Sequence, residues 1–131
     1  MLGDLPLGER VSPAAHSNMQ GDPLDRDVFD LYLRELGHRR LAYVHLGLFD
    51  DGVIYPELGM RASDYLRAAY SGVVVGVGQY TPAAAEEALE SRRFDLMAFG
   101  RAFLANPDLV ERIARGEPLL PYDASLLMRL I

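Results

Sequence analysis

The chain has 131 residues, of which 50% are hydrophobic and 24% are charged, a composition that indicates one globular domain. Its 13 Lys and Arg are outnumbered by 19 Asp and Glu, and the formal charge of −6 argues against a general nucleic-acid binder, which needs basic residues to replace phosphate counterions. The absence of cysteine excludes disulfides, thiolate metal sites, iron–sulfur clusters and cysteine nucleophiles.

Nothing in the sequence predicts contact with a membrane. No apolar run approaches the ~20 residues that span a bilayer. The first ten residues contain Asp4 and lack the apolar core of a signal peptide. We therefore expect a cytoplasmic protein that binds neither membranes nor nucleic acids.

The beginning of the chain predicts a short strand and a helix. Residues 1–8 are rich in Gly, Pro and Leu and are expected to be a loose lead-in. Arg10–Ser12 is a strand candidate, and the polar stretch 14–27 is predicted to be a loop. A helix ended by Gly37 is then indicated by apolar residues at helical spacing, namely Val28, Leu31, Tyr32 and Leu36.

A second strand and helix follow. Leu41–Leu46 is a compact strand candidate, and the Gly- and Pro-containing stretch Asp50–Gly59 is typical of a loop. Ser63 is a candidate N-cap for a helix that Ser71 and Gly72 end.

The third unit has the clearest strand. Val73–Val77 is apolar at nearly every position, which is typical of a parallel strand that is covered on both faces. Thr81 followed by Pro82 predicts the start of a helix that runs to about Ser91, because Thr caps a helix and Pro suits its first position.

The last unit begins with a strand at Asp95–Phe99. Asn106, Pro107 and Asp108 predict the start of a helix that Gly116 ends, and the C-terminal tail 119–131 is expected to hold a short helix. Four strands thus alternate with helices over residues 1–131. The sequence predicts an α/β fold, one domain of four βα units around a parallel sheet.

Two strand ends carry residues suited to a phosphate group. Gly78 and Gln79 follow the third strand, and Gly100 and Arg101 follow the fourth. Ligands of parallel α/β folds bind at this edge, where Gly allows close approach of the backbone and Arg offers a fixed cation. Each glycine alone could be a simple turn, and Arg101 alone a surface charge, whereas the combination favours phosphate binding.

The segment Val74–Asp123 resembles the C-terminal end of the old yellow enzyme family, which are FMN-dependent ene-reductases. The resemblance rests on Gly78–Thr81, Asp95–Arg101, Phe103–Val110 and Gly116–Leu119, and includes the string FGRAFLANPDLVERIARGEPL. Further upstream, Arg10–Pro13 is similar to the Arg-x-Ser-Pro strand of the family, and Ala42–Leu46 to the strand after it.

This resemblance implies a half-barrel, with the chain forming strands 5–8 of a (β/α)8 TIM barrel. It implies FMN as cofactor and NAD(P)H as electron donor in the complete enzyme. Gly78, Gln79, Gly100 and Arg101 would contact the FMN phosphate, and Arg10 would contact the flavin. The family commonly has Gly or Asn where this chain has Gln79.

The family's substrate-anchoring pair and proton-donating Tyr lie on the first half of the barrel, so we assign no catalytic residue to this chain, and no metal site. His16 could line a pocket mouth, His45 is expected to pack or form one hydrogen bond, and His38 to end a helix in solvent. Packing roles are also expected for Tyr55 and Tyr80, and a solvated turn rather than a metal pair for Asp50 and Asp51.

Two functions remain open at this point. The resemblance implies the FMN-binding portion of an NAD(P)H:flavin oxidoreductase that reduces alkenes, incomplete for catalysis alone. The alternative is a non-catalytic barrel remnant or interaction module that binds a phosphorylated ligand or a partner. Because a half-barrel leaves two open strand edges, we expect a complementary half-barrel chain or a homodimer, or else refolding into an open sheet.

Overall fold

The computed structural model describes residues 5–13 and 21–129, so the predictions for residues 1–4, His16 and Leu130 lie outside it. The strands are β1 (Gly8–Val11), β2 (Tyr43–Leu46), β3 (Val74–Gly76) and β4 (Leu96–Met97). The helices are α1 (Asp25–Gly37), α2 (Ala62–Ala69), α3 (Pro82–Glu90), α4 (Arg101–Ala105), α5 (Leu109–Arg115) and a 3-10 helix (Ala124–Arg129). No helix in these two ranges has the length and apolarity needed to cross a membrane.

All four strands form one parallel sheet in the order β1-β2-β3-β4. Their register places Arg10, His45, Val75 and Leu96 in a single row across the sheet. Each pair of consecutive strands is joined by one of the helices α1, α2 and α3. The predicted α/β fold with four parallel strands alternating with helices is therefore confirmed.

The chain divides into two compact units, Met1–Met97 and Ala98–Ile131. The core of the first unit lies between one face of the sheet and the helices. Val44 and Val74 of the sheet are completely buried, as are Leu33 of α1 and Leu66 of α2. Phe94, just before β4, joins the same cluster. Burial of each such side chain contributes about 1.5–3 kcal/mol.

The opposite face of the sheet carries exposed apolar side chains. Tyr43 is 42%, Val73 is 40% and Leu96 is 54% exposed, and Val75 between them is half-buried. The apolar run Val73–Val77 predicts a strand covered on both faces, and for Val73 this prediction is wrong. The reason is that the buried cluster, with α1 and α2, packs against the face that holds Val44 and Val74.

Arg67 of α2 fastens the amino-terminal end of β3. Its guanidinium donates to the carbonyl oxygens of Arg93 and Gly72, both at 3.2 Å, and to Asp95 Oδ2 at 2.7 Å. The same Asp95 oxygen accepts from the backbone N–H of Val74 at 2.8 Å. One helix is thereby tied to the beginning of two strands.

In the first unit, one predicted helix start is confirmed and another differs from the structure. Thr81 caps α3, accepting from the backbone N–H of Ala84 at 3.2 Å. Ser63 is not the cap of α2, which begins one residue earlier, at Ala62. The N–H of Ser63 is instead satisfied by Asp51, a residue twelve positions upstream that no local capping rule identifies.

The second unit contains α4, α5 and the 3-10 helix. Asn106 does not open a helix as predicted, since it follows the unpredicted helix α4 and α5 begins at Leu109. Its buried amide donates to the carbonyl oxygens of Ala102 and Leu120 and accepts from the Leu120 N–H. The predicted end of α5 at Gly116 is confirmed, with Gly116 in the left-handed region at φ 66°.

Candidate functional site

Two polar side chains of β1 and its extension meet at the carboxyl end of β2. A Cβ atom placed on Gly47 would lie 2.9 Å from Arg10 Nε and 2.7 Å from Ser12 Oγ. Gly47 directly follows β2, and its lack of a side chain makes room for this pair. The arrangement places a guanidinium and a hydroxyl at the sheet edge where ligands of parallel α/β folds bind.

His45 lies beside Arg10 on the uncovered face of the sheet. Its Nε2 atom is buried and has no hydrogen-bond partner among the described residues. Burial, and secondly the positive charge of Arg10, lowers the pKa of His45, so the imidazole is neutral at pH 7. A buried ring nitrogen without a partner is costly, and it marks a place where a polar group from outside the described residues is needed.

The loop after β3 has an unusual backbone at both predicted phosphate residues. Gly78 has φ 128° and Gln79 has φ 58°, values that side-chain-bearing residues rarely adopt. A Cβ atom on Gly78 would lie 2.8 Å from the backbone nitrogen of Asp51 and 2.8 Å from Leu48 Cδ1. Glycine is thus required at position 78 by packing inside the protein, whether or not a ligand approaches it.

Asp51 is 3% exposed, so the prediction of a solvated turn is wrong for this residue. Its Oδ2 accepts from the Tyr80 hydroxyl at 2.5 Å, and its Oδ1 accepts from the Ser63 N–H at 3.2 Å. Burial and the bond to Asp51 raise the pKa of Tyr80 to about 12, so the hydroxyl keeps its proton. The Tyr80 ring packs edge-on against Phe94, in line with its expected packing role. No cluster of metal-ligating side chains occurs among residues 5–13 and 21–129.

Gly100 and Arg101 lie near the beginning of the second unit, which starts at Ala98. Gly100 precedes the first residue of α4, and a Cβ atom added there would meet nothing within 4 Å. The guanidinium carbon of Arg101 lies 5.5 Å from the centre of the Tyr122 ring, within the range of a cation–π contact. This pair therefore combines an open backbone position with an arginine that an aromatic ring supports.

The described geometry thus groups the predicted residues by unit: Arg10, Gly78 and Gln79 in the first, Gly100 and Arg101 in the second. Sequence reasoning missed the contributions of Ser12, Asp51 and Tyr122. Only Ser12 had a visible signal, because it lies in the quoted Arg-x-Ser-Pro strand.

A model of the NADH:flavin oxidoreductase / NADH oxidase family matches residues 3–119. Among curated relatives, the chain is 32% identical over 133 residues to 12-oxophytodienoate reductase 2 of Arabidopsis thaliana, covering 95% of this chain and 33% of the relative. It is 34% identical to the putative 12-oxophytodienoate reductase 10 of Oryza sativa subsp. japonica, covering 95% of this chain and 41% of the relative.

Solved structures give the same result. Morphinone reductase in complex with tetrahydroNAD superimposes with a TM-score of 0.74 at 31% identity, over 91% of this chain and 31% of that chain. The old yellow enzyme homologue of Zymomonas mobilis gives a TM-score of 0.76 at 26% identity, over 91% of this chain and 34% of that one. The four strands and their helices therefore match part of the TIM barrel of old yellow enzymes, and the chain spans about a third of the length of these relatives.

FMN is the cofactor of this family, with NAD(P)H as electron donor. In the first unit, Arg10 Nε and Ser12 Oγ lie close together over Gly47, and the Nε2 atom of His45 is buried without a partner among the described residues, which fits a polar ligand. The second unit, taken by itself, has an open backbone position at Gly100 next to Arg101, a combination that suits an anionic group.

Proposed function

Because this chain belongs to the NADH:flavin oxidoreductase / NADH oxidase family, we propose that it supplies the FMN-binding portion of an old-yellow-enzyme-like alkene reductase. The observation that carries this proposal is the meeting of Arg10 Nε and Ser12 Oγ over Gly47, at the carboxyl end of two neighbouring strands. A guanidinium and a hydroxyl close together, near a ring nitrogen of His45 that has no partner among the described residues, suit a ligand rich in carbonyl and ring-nitrogen acceptors.

Each residue would act by binding or orienting the cofactor. FMN, when bound, supplies the hydride-carrying centre between NAD(P)H and an activated alkene. The Arg10 guanidinium donates hydrogen bonds to the flavin edge and holds a positive charge there. Arg101, supported by Tyr122, offers a cation to the phosphate, and the open backbone at Gly100 admits its oxygens. Gly78 and Gln79 complete the phosphate contacts.

We assign to this chain neither the substrate-anchoring pair nor the proton donor of the reductase. The isolated chain should therefore show little or no ene-reductase activity. NADPH-dependent turnover of cyclohexenone at enzyme-like rates would contradict this part of the proposal. Supplying the remaining portion of the barrel should be needed for turnover.

The cofactor proposal is tested by the visible absorption spectrum of the chain after incubation with FMN and gel filtration. We expect retained flavin absorption, and about tenfold weaker FMN binding in Arg101→Ala, since a charge-assisted hydrogen bond is lost. Arg115→Ala, which removes an exposed arginine paired with Glu117, is the matched control and should bind as the parent does. A parent chain that takes up no FMN, alone or with its complement, overturns the proposal.

A partner for the uncovered sheet face belongs to the same proposal. The exposed apolar residues Tyr43, Val73 and Leu96 lie on the same face of the sheet as His45, whose Nε2 atom has no partner among the described residues, and this supports a covering layer that is apolar and carries one polar group. A complementary half-barrel chain, or a second copy, would supply it. Molecular mass in solution, measured on the same sample, distinguishes a dimer from a monomer that awaits its complement.

One observation favours the alternative of a non-catalytic remnant or interaction module. The space beside Gly78 is taken by Asp51 and Leu48, so that glycine has a packing role of its own. A remnant would retain no flavin absorption after incubation with FMN and gel filtration. Arg101→Ala and Arg115→Ala would then not differ in FMN binding.

A further inference from the structure

The loop Gly78–Gln79 has a backbone that the loop alone does not stabilise. Gln79 bears a side chain and has a φ of 58°, a strained conformation that persists only where the surroundings hold it, whereas Gly78 adopts its φ of 128° without such strain. The contacts on either side of this loop therefore decide whether it keeps this shape.

Both flanking contacts lead to Asp51. On one side, the α-carbon of Gly78 approaches Asp51 so closely that an added Cβ would lie 2.8 Å from its backbone nitrogen and 3.2 Å from its Cβ atom. On the other side, the Tyr80 hydroxyl donates to Asp51 Oδ2 at 2.5 Å. Gln79 is thus held between two residues that touch the same aspartate.

Asp51 is itself fixed. Its second oxygen accepts from the Ser63 N–H in the first turn of α2, a helix whose Leu66 is fully buried in the core. The Tyr80 ring is held by its edge-on contact with Phe94, at 5.9 Å between ring centres, and its hydroxyl also faces Arg93. The buried carboxylate of Asp51 thereby links the loop to the hydrophobic core.

We propose that Asp51 and Tyr80 are positioning residues, which hold the Gly78–Gln79 loop in the shape that receives the phosphate of the cofactor. This inference rests on the proposed function for the identity of the ligand, but the effect on the loop is independent of it. Neither residue touches the ligand in this scheme. Both act through the backbone of residues 78 and 79.

The test compares Tyr80→Phe with Tyr55→Phe. Tyr55 is the control because its hydroxyl donates to the Asp50 carbonyl at 3.2 Å, in the same loop as Asp51 but with no bond to the Asp51 carboxylate. FMN and riboflavin are titrated in parallel, since riboflavin lacks only the phosphate. We expect Tyr80→Phe to weaken FMN binding about tenfold, the size expected for one lost hydrogen bond, and to leave riboflavin binding unchanged. Tyr55→Phe should alter neither.

A second readout needs no ligand. Backbone amide shifts of Gly78 and Gln79 should move in Tyr80→Phe and stay in place in Tyr55→Phe. Asp51→Asn, which keeps the side-chain volume, should move the same amides. The double variant should bind FMN no more weakly than whichever single variant binds it more weakly, because both residues act through one contact.

The outcomes separate the two proposals. A parent that binds no FMN while its amides respond as described overturns the proposed function and supports the positioning role. A parent that binds FMN while Tyr80→Phe changes neither the FMN-to-riboflavin ratio nor the amides overturns the positioning role alone.

Discussion

Asp95 joins two backbone segments and one helix through a single carboxylate oxygen. That oxygen accepts from Arg67 at 2.7 Å and from the Val74 N–H at 2.8 Å. The bond from Arg67, and secondly the one from Val74, lowers the pKa of Asp95. A carboxyl whose pKa is lowered by folding stabilises the fold at neutral pH, and the contribution is lost as the pH falls below about 4.

Replacing Asp95 by Asn should therefore lower the free energy of unfolding at pH 7 by about 1 kcal/mol, a modest value because the side chain is partly exposed to water. Below about pH 4 the loss should shrink, because the Asp95 carboxyl becomes protonated first in the unfolded chain and, at still lower pH, in the folded protein. Urea unfolding at several pH values measures both effects. Glu86→Gln, at an exposed position on α3, is the control, and a pH-independent difference for Asp95→Asn would contradict the argument.

At the scale of single residues, the sequence identifies an unusual residue at position 79 but does not reveal contacts between residues far apart in the chain. Gln79 was recognised as unusual because related proteins commonly have Gly or Asn at this position, and its φ of 58° gives the physical reason. Asp51 was assigned to a solvated turn because its partners, Tyr80 and the Ser63 N–H, lie 29 and 12 residues away along the chain. No local pattern of residues encodes contacts of that range.

The elements were predicted where apolar strands and local caps define them. Thr81 with Pro82 gave the start of α3, and Gly116 gave the end of α5, because both signals act within one helical turn. The five-residue helix α4 was missed, since so short a segment shows no helical periodicity. Asn106 looked like a helix start, but its amide is used to hold Leu120 instead.

That use of Asn106 predicts a local effect on the second unit. In Asn106→Ala the N–H and the carbonyl of Leu120 lose the partners that the amide supplies, whereas the Ala102 carbonyl still accepts from the backbone N–H of residue 106. We expect faster amide hydrogen exchange and easier proteolysis in residues 117–129, with a local loss of about 2 kcal/mol. Met128→Ala, at a 73% exposed position in the same segment, is the control and should leave both rates unchanged. Equal protection in the two variants would contradict this role.

At the scale of the molecule, the main feature is that one face of the sheet is left uncovered by the helices. Helices cover the face that holds Val44 and Val74, whereas Tyr43, Val73 and Leu96 remain exposed on the other. The sequence alone could not reveal this, because an apolar strand has the same pattern whether its second face is covered by its own chain or by another.

Leu96→Lys should therefore weaken self-association or capture of a complementary chain while leaving the first unit folded. The substitution places a charge at a position that is 54% exposed, on the edge strand β4 of the uncovered face. Sedimentation velocity over a range of concentrations measures the association, and circular dichroism checks the fold. Val110→Lys, at a 63% exposed position on α5, is the matched control. Equal association of the two variants would show that this face is not used.

The order of the strands also bears on how the chain is made. Because β1, β2, β3 and β4 are neighbours in space in the same order as in the sequence, each strand pairs with the one synthesised just before it. A nascent chain leaving the ribosome can add one strand and one helix at a time, and the Arg67–Asp95 bond closes only after β3 has docked. The first unit can thus assemble vectorially, since each strand from β2 onward meets a neighbour that has already been translated.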